Sequence, residues 1–243
     1  MTTPPRPEAV LLDVGGVFHL PGHDEISAAY RAQGHEIDRA RLNYAHYAGA
    51  ARFHTAFETR GTDTESDHTI WLEYLDAHAD ALGVGDDVRA DLLPQLGKAF
   101  IGLETWSHQI EGSVEGAEAL KAAGVRIGIV SNADGTVAAV LEASGTAQVG
   151  PGPGVEVEVI IDSGAVGVAK PDPRIFHLAL DAMGLDPATT WYVGDMPTFD
   201  VVGARAAGLF PILMDPHDFH GGIDALRVTS LFEVAELVRV ARG

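Results

Sequence analysis

The chain contains no cysteine, which excludes disulfides and thiolate metal sites and leaves the sequence silent about redox compartment. Lysine is nearly as scarce: Lys98, Lys121 and Lys170 are three of 16 basic residues, the rest being arginine. No apolar run approaches the roughly 20 residues that a membrane-spanning helix needs, so no membrane partner is expected. Positive charge is in deficit, 35 acidic against 16 basic residues for a net −19, which argues against nucleic-acid binding through bulk charge. That deficit does not set the sign of a substrate, because a metal ion reverses the local field inside a pocket. Residues 1–7 carry no apolar signal core, so a cytoplasmic location is expected. What is present is hydrophobic content, 46% against 21% charged, the balance of a chain that buries a sizeable core.

From about residue 109 onward, strand-like and helix-like segments alternate. Short β-branched or apolar runs at 125–131, 155–161, 190–193 and 210–213 read as strands, and 9–14 is another. Helices are expected at 117–123, 173–183, 200–207 and 231–240; the second has Asp172 as N-cap, Pro173 at its first position and Gly184 as its stop. This alternation of predominantly apolar strands with helices implies an α/β fold, a parallel sheet with helices on both faces. Between the first strand and the rest, helical patterns run at 25–33, 36–52, 65–81 and 86–99. In the third, Ile70, Trp71, Tyr74, Leu75 and His78 form an apolar stripe. The organisation expected is therefore a core of residues 1–18 plus 109–243 and a helical insertion of residues 19–108. The glycine–proline stretch 150–154 lacks the Lys-Ser/Thr of a phosphate-binding loop and reads as a flexible connection.

Four signals fall at strand ends or in loops before helices. They are Asp13 within Leu-Leu-Asp-Val-Gly-Gly, Ser131-Asn132 after Ile-Gly-Ile-Val, Lys170 before Pro-Asp-Pro, and Gly194-Asp195 with Asp200 five residues on. A strand-terminal Asp or Ser taken alone is usually a cap or turn residue, and a lone Lys before Pro is usually solvated. In open parallel sheets, however, right-handed crossovers bring such loops to one edge, where ligands bind. A carboxylate nucleophile, a hydroxyl, an ammonium and a metal-binding carboxylate together suit phosphoryl transfer, whose catalysis is mainly positioning and electrostatics.

The four signals, and above all Ala-Lys-Pro-Asp-Pro-Arg-Ile-Phe at 169–176 and the stretch from Gly194 to Gly208, resemble the haloacid dehalogenase-like hydrolases. That resemblance covers nearly the whole chain and implies a Rossmann-like core with an inserted α-helical cap. It implies Asp13 as nucleophile, with Ser131 and Lys170 as further catalytic groups. Ser131, Asn132 and Lys170 would bind phosphate, and His19 and His23 would contact substrate. Magnesium would be held by Asp13, the Gly15 carbonyl, Asp195 and Asp200, the last also able to orient Lys170. The expected substrate is a small phosphorylated metabolite. A homodimer is among the expected assemblies, although the sequence does not select an oligomeric state.

One position departs from the pattern. Phosphatases of this kind carry a second Asp two residues after the nucleophile, as the acid and base of the reaction, and here that residue is Gly15. Three consequences are open: substrates with good leaving groups, a substitute group such as His19 or His23, or slow turnover by a phospho-ligand-binding protein. A metal-independent 2-haloacid dehalogenase, with Asp13 attacking carbon, is a further alternative. Pro21-Gly22 rules out His19 and His23 as a regular helical zinc pair. His217 and His220 read as solvated or hydrogen-bonded loop residues. Trp71 and Tyr74 read as helical core, and Arg52, Phe53, His54 and Trp106 as candidate pocket lining.

Overall fold

The computed structural model describes residues 4–60, 68–101 and 106–243. The chain forms two compact units, residues 1–19 with 109–216 and 222–243, and residues 20–108 with 217–221.

The first unit is built on six strands: β1 (Ala9–Leu12), β2 (Arg126–Ser131), β3 (Ile160–Asp162), β4 (Thr190–Gly194), β5 (Phe210–Met214) and β6 (Leu226–Val228). Their order across the sheet is β6-β5-β4-β1-β2-β3, and every neighbouring pair is parallel. All four residues of β1 are fully buried, as a central strand covered on both faces must be. Ala9 and Leu11 pack with Val130, Ile175, Phe176, Ala179, Leu180 and Tyr192 in one cluster. Each such fully buried Leu, Ile or Phe contributes about 1.5–3 kcal/mol. Leu12 pairs with Val193 on one side and Ile129 on the other, so the residues just beyond these strands share one level.

The helix Pro173–Met183 has the expected ends: Asp172 accepts the Arg174 amide at 2.9 Å, and Gly184 closes it in the left-handed conformation. Other segments depart from the sequence reading. The first strand ends at Leu12, and the Val14 carbonyl then accepts the amides of Phe18 and His19, turning the chain sharply. The run 155–161 is two strands. Val155–Val157 pairs with Ala147–Val149 in a small separate sheet, while Ile160–Asp162 joins β2. The run is Val-Glu-Val-Glu-Val-Ile-Ile, and its partner changes where the alternation with glutamate gives way to the two isoleucines. The 150–154 loop is closed rather than loose, because Gln148 bonds the carbonyls of Gly150 and Gly154 and accepts the Gly154 amide at 2.8 Å.

The second unit comprises helices α1 (His23–Ala32), α2 (Arg39–Arg60), α3 (His68–Ala81) and α4 (Asp86–Ile101). The expected start of the third helix at 65 lies outside the described residues. Helix α2 runs eight residues past its expected end, and Arg52 and Arg60 near that end both pair with Glu73 on α3. Tyr74 is buried as expected and stands over Gly49 of α2. Residues 217–221 contribute rings to this unit: His217 lies against Tyr44 and Tyr47, and Phe219 against Tyr44. His217 is exposed, as expected of a solvated loop residue, whereas His220 is buried with its ring against His54. Among the described residues no helix is long and apolar enough to cross a membrane.

Two buried Tyr–His pairs cross the inside of this unit, Tyr30 Oη to His78 Nδ1 at 2.7 Å and Tyr74 Oη to His46 Nδ1 at 2.8 Å. Burial, with His46 nearby, lowers the His78 pKa to about 3. The folded protein therefore resists a proton that the unfolded chain accepts near pH 6.5, so this contribution is whole above about pH 6.5 and lost towards pH 3. Urea denaturation between pH 7.5 and 5 should show His78→Gln losing stability on acidification less steeply than wild type. The difference approaches about 1.4 kcal/mol per pH unit below pH 6. Parallel curves for the two proteins would disprove this account.

Candidate active site

The shared level of β1, β2 and β4 brings their terminal residues together. Asp13 continues the ladder through its amide to the Val193 carbonyl at 2.9 Å, Ser131 is the last residue of β2, and Asp195 follows β4 directly. The Asp13 side chain is held by the Val14 amide at 2.7 Å on Oδ1 and by Lys170 Nζ at 2.8 Å on Oδ2.

Two glycines make room for the other carboxylates. Gly16 has φ +64°, and a Cβ there would lie 2.2 Å from Asp195 Cγ; a Cβ on Gly194 would lie 2.3 Å from Asp200 Cγ. Any side chain at either position would displace a carboxylate, and at Gly16 it would also meet left-handed backbone strain. Asp200 comes from a turn of π-helix, Pro197–Val201, followed by the helix Val202–Ala206, where the sequence suggested one helix over 200–207. Inserted π turns are frequent at functional sites. Here the turn lets Asp200 Oδ2 accept the Met196 amide at 2.8 Å while Oδ1 faces Lys170 Nζ at 2.7 Å.

Lys170 is placed by its backbone as well as by its charge. The Asn132 side chain accepts the Lys170 amide at 2.8 Å and donates to the Lys170 carbonyl at 3.0 Å, clasping the residue before the cis Pro171 bond. The loop after Ser131 is pinned in turn by Asp162, which accepts the amides of Gly135 and Val137 at 3.0 Å.

Carboxylate oxygens of Asp13, Asp195 and Asp200 lie within 4.8 Å of one another, and all three residues are buried. Asp13 and Asp200 thus share one ammonium, with Asp195 beside them. Burial pushes the Asp13 carboxyl up to about 7; Lys170 pulls it down, and Asp200 and Asp195 raise it further. Burial opposes the charge on Lys170, but Asp13 and Asp200 outweigh it and hold the ammonium above the ordinary lysine range. A cluster of hard oxygen donors with excess negative charge can hold a metal ion.

The structure therefore brings together Asp13, Ser131, Asn132, Lys170, Asp195 and Asp200. Gly15 is half-buried in the loop after Asp13 and bridges to His19. His19 is fully buried, with Nε2 2.7 Å from Thr146 Oγ1. His23 belongs to the helical unit, where Nε2 meets Asn43 Oδ1 at 2.9 Å and the ring lies tilted against that of His108. Arg52 lines a shallow cleft of that same unit with Tyr44, Asp80 and Phe219. Sequence reasoning missed Tyr192, whose hydroxyl reaches both Lys170 and Asp200. The available signal was a tyrosine in an otherwise apolar central strand, since a buried hydroxyl needs a partner.

This set of residues matches a known family. The family model for haloacid dehalogenase-like hydrolases matches residues 7–208. The chain belongs to that family. Haloacid dehalogenase-like hydrolase domain-containing protein 3 of Bos taurus is 29% identical over 192 residues, spanning 78% of this chain and 73% of that protein. A phosphoserine phosphatase of Thermus thermophilus is 43% identical over 90 residues, 35% of this chain and 36% of its own length. A crystal structure described as a dehalogenase with intermediate complex covers 97% of this chain and 98% of its own, with a TM-score of 0.54 at 21% identity. As a haloacid dehalogenase-like hydrolase, the chain is an enzyme with a Rossmann-like α/β core and a helical insertion.

Proposed function

We propose that this hydrolase is a magnesium-dependent phosphatase of a small phosphorylated metabolite, working through an aspartyl-phosphate on Asp13. The observation that carries this reading is Lys170 Nζ 2.8 Å from Asp13 Oδ2, beside a carboxylate cluster spanning less than 4.8 Å. The phosphoserine phosphatase relative supports the choice of a phosphate ester. In the same reading, residues 19–108 are the family's cap domain.

An Asp13 oxygen attacks phosphorus, the bond to the leaving oxygen breaks, and water then attacks the phosphorus of the acyl phosphate to release phosphate and regenerate the carboxylate. The Ser131 hydroxyl binds an oxygen of the transferring group, the Lys170 ammonium stabilises that group through its charge, and Asp200 keeps Lys170 aimed at Asp13. Magnesium, held by Asp13, Asp195 and the Gly15 carbonyl with Asp200 beside them, would offset repulsion between carboxylate and phosphate. Asp200 acts chiefly through Lys170, since its two oxygens already face Lys170, Tyr192 and the Met196 amide.

Gly15 supplies no proton to the leaving oxygen, so acyl, aryl or anomeric phosphates are the favoured esters. p-Nitrophenyl phosphate should be hydrolysed with magnesium and not with chelator, and faster than simple alkyl phosphates by about 10²–10⁴-fold, the usual worth of general acid–base help. Gly15→Asp should narrow that gap by accelerating alkyl esters. Equal rates on aryl and alkyl esters would sink the leaving-group account. Halide release from 2-haloacids without metal would replace the phosphatase reading with dehalogenation.

A further inference from the structure

We propose that Tyr192 is a positioning residue, its hydroxyl forming a junction that holds the Lys170 ammonium on Asp13 and Asp200. An ammonium has three N–H donors. Lys170 directs them to Asp13 Oδ2 at 2.8 Å, Asp200 Oδ1 at 2.7 Å and Tyr192 Oη at 2.9 Å, so its donor capacity is filled by three fixed acceptors. The Tyr192 hydroxyl also lies 3.1 Å from the Val130 carbonyl, one residue before Ser131, and 3.0 Å from Asp200 Oδ1. One hydroxyl on β4 thereby ties the end of β2, the Lys170 loop and the π turn bearing Asp200. To satisfy a buried tyrosine, the Val130 carbonyl alone would suffice. The added contacts with an ammonium and a carboxylate are what make the group a junction. Its ring is fully buried and packs edge-on against Phe176, so Tyr192→Phe removes the oxygen and keeps the packing.

Only the effect on turnover rests on the phosphatase reading, and the scarcity of lysine supplies a test independent of it. Lys98 and Lys121 are exposed, whereas Lys170 is buried. In the full chain labelled with [¹⁵N]lysine, one ammonium signal protected from solvent exchange is expected, retained when Lys98 and Lys121 are replaced by arginine. Tyr192→Phe should accelerate its exchange by about tenfold or more, the scale of one hydrogen bond to a charged group. The same variant should lower kcat on p-nitrophenyl phosphate by a similar factor with KM nearly unchanged, a split that general loosening of the fold would not give. Unaltered exchange in Tyr192→Phe, or no protected signal in the wild type, overturns the proposal. Faster exchange in a protein whose wild type hydrolyses no phosphate ester upholds the junction and rejects the phosphatase reading. Should Tyr192→Phe fail to fold, a through-space NMR contact in the wild type between the Lys170 ammonium and the Tyr192 ring decides the matter by its presence or absence.

Discussion

Asp13→Asn should abolish hydrolysis of p-nitrophenyl phosphate, lowering kcat by roughly 10⁴–10⁶-fold, the scale seen when a nucleophile is removed from a concerted site. The substitution is nearly isosteric, and Lys170 keeps Asp200 and Tyr192 as acceptors, so the fold should survive. Its stability should rise in metal-free solution. Burial holds the Asp13 carboxyl near pH 7, well above its unfolded value, so the folded protein binds the proton more tightly than the unfolded chain. Any stability owed to that proton is present below about pH 4 and is lost as pH climbs through 7. Asparagine carries no such dependence. Melting temperatures with chelator present should therefore separate as pH rises from 4 to 7, with the variant above wild type. Added magnesium should close the gap by stabilising wild type more. Retention of about a hundredth or more of wild-type activity would remove Asp13 from the role of nucleophile.

Lys170→Met should be the most destabilising single change in the site. Among the described residues the Lys170 ammonium is the cation that pairs with Asp13 and Asp200, and both carboxylates are buried. Removing one partner of a buried ion pair costs about 3–5 kcal/mol, because the remaining charge is left without compensation. Methionine fills much of the same volume, so the loss measures charge more than packing. Two further outcomes distinguish this cause from a simple cavity. Magnesium should recover part of the stability, since a dication replaces the missing positive charge. Asp13→Asn added to Lys170→Met should also recover part, because the two residues share one interaction and their effects are not additive. Denaturation of the four proteins of this cycle checks both. A Lys170→Met protein within about 0.5 kcal/mol of wild type would mean that the site is not held by this charge balance.

Much of this arrangement is legible in the sequence, and the reason is local. The helix Pro173–Met183 announced itself through Asp172, Pro173 and Gly184, each acting within one turn of its own position. β1 and β4 were legible because a central parallel strand must be apolar on both faces. Segment 155–161 departed from that logic, since it alternates Val with Glu through residue 159 and its β-branched residues do not say which strand each part joins. The aromatic packing of His217 was out of reach for a related reason: its ring partners Tyr44 and Tyr47 lie more than a hundred residues away in sequence.

By itself the sequence determined the fold class, the family and the residue types gathered at the sheet edge, because strand periodicity, caps and the four signals are encoded over a few neighbouring positions. It also determined that position 15 carries no carboxyl side chain of its own. Tertiary structure alone decided how charge is shared: Lys170 saturated by Asp13, Asp200 and Tyr192, Asn132 clasping the Lys170 backbone, and His19 turned to Thr146. Those choices depend on which acceptor comes within about 3 Å of a donor once the strands are in register, and hydrogen bonding falls away steeply beyond that distance.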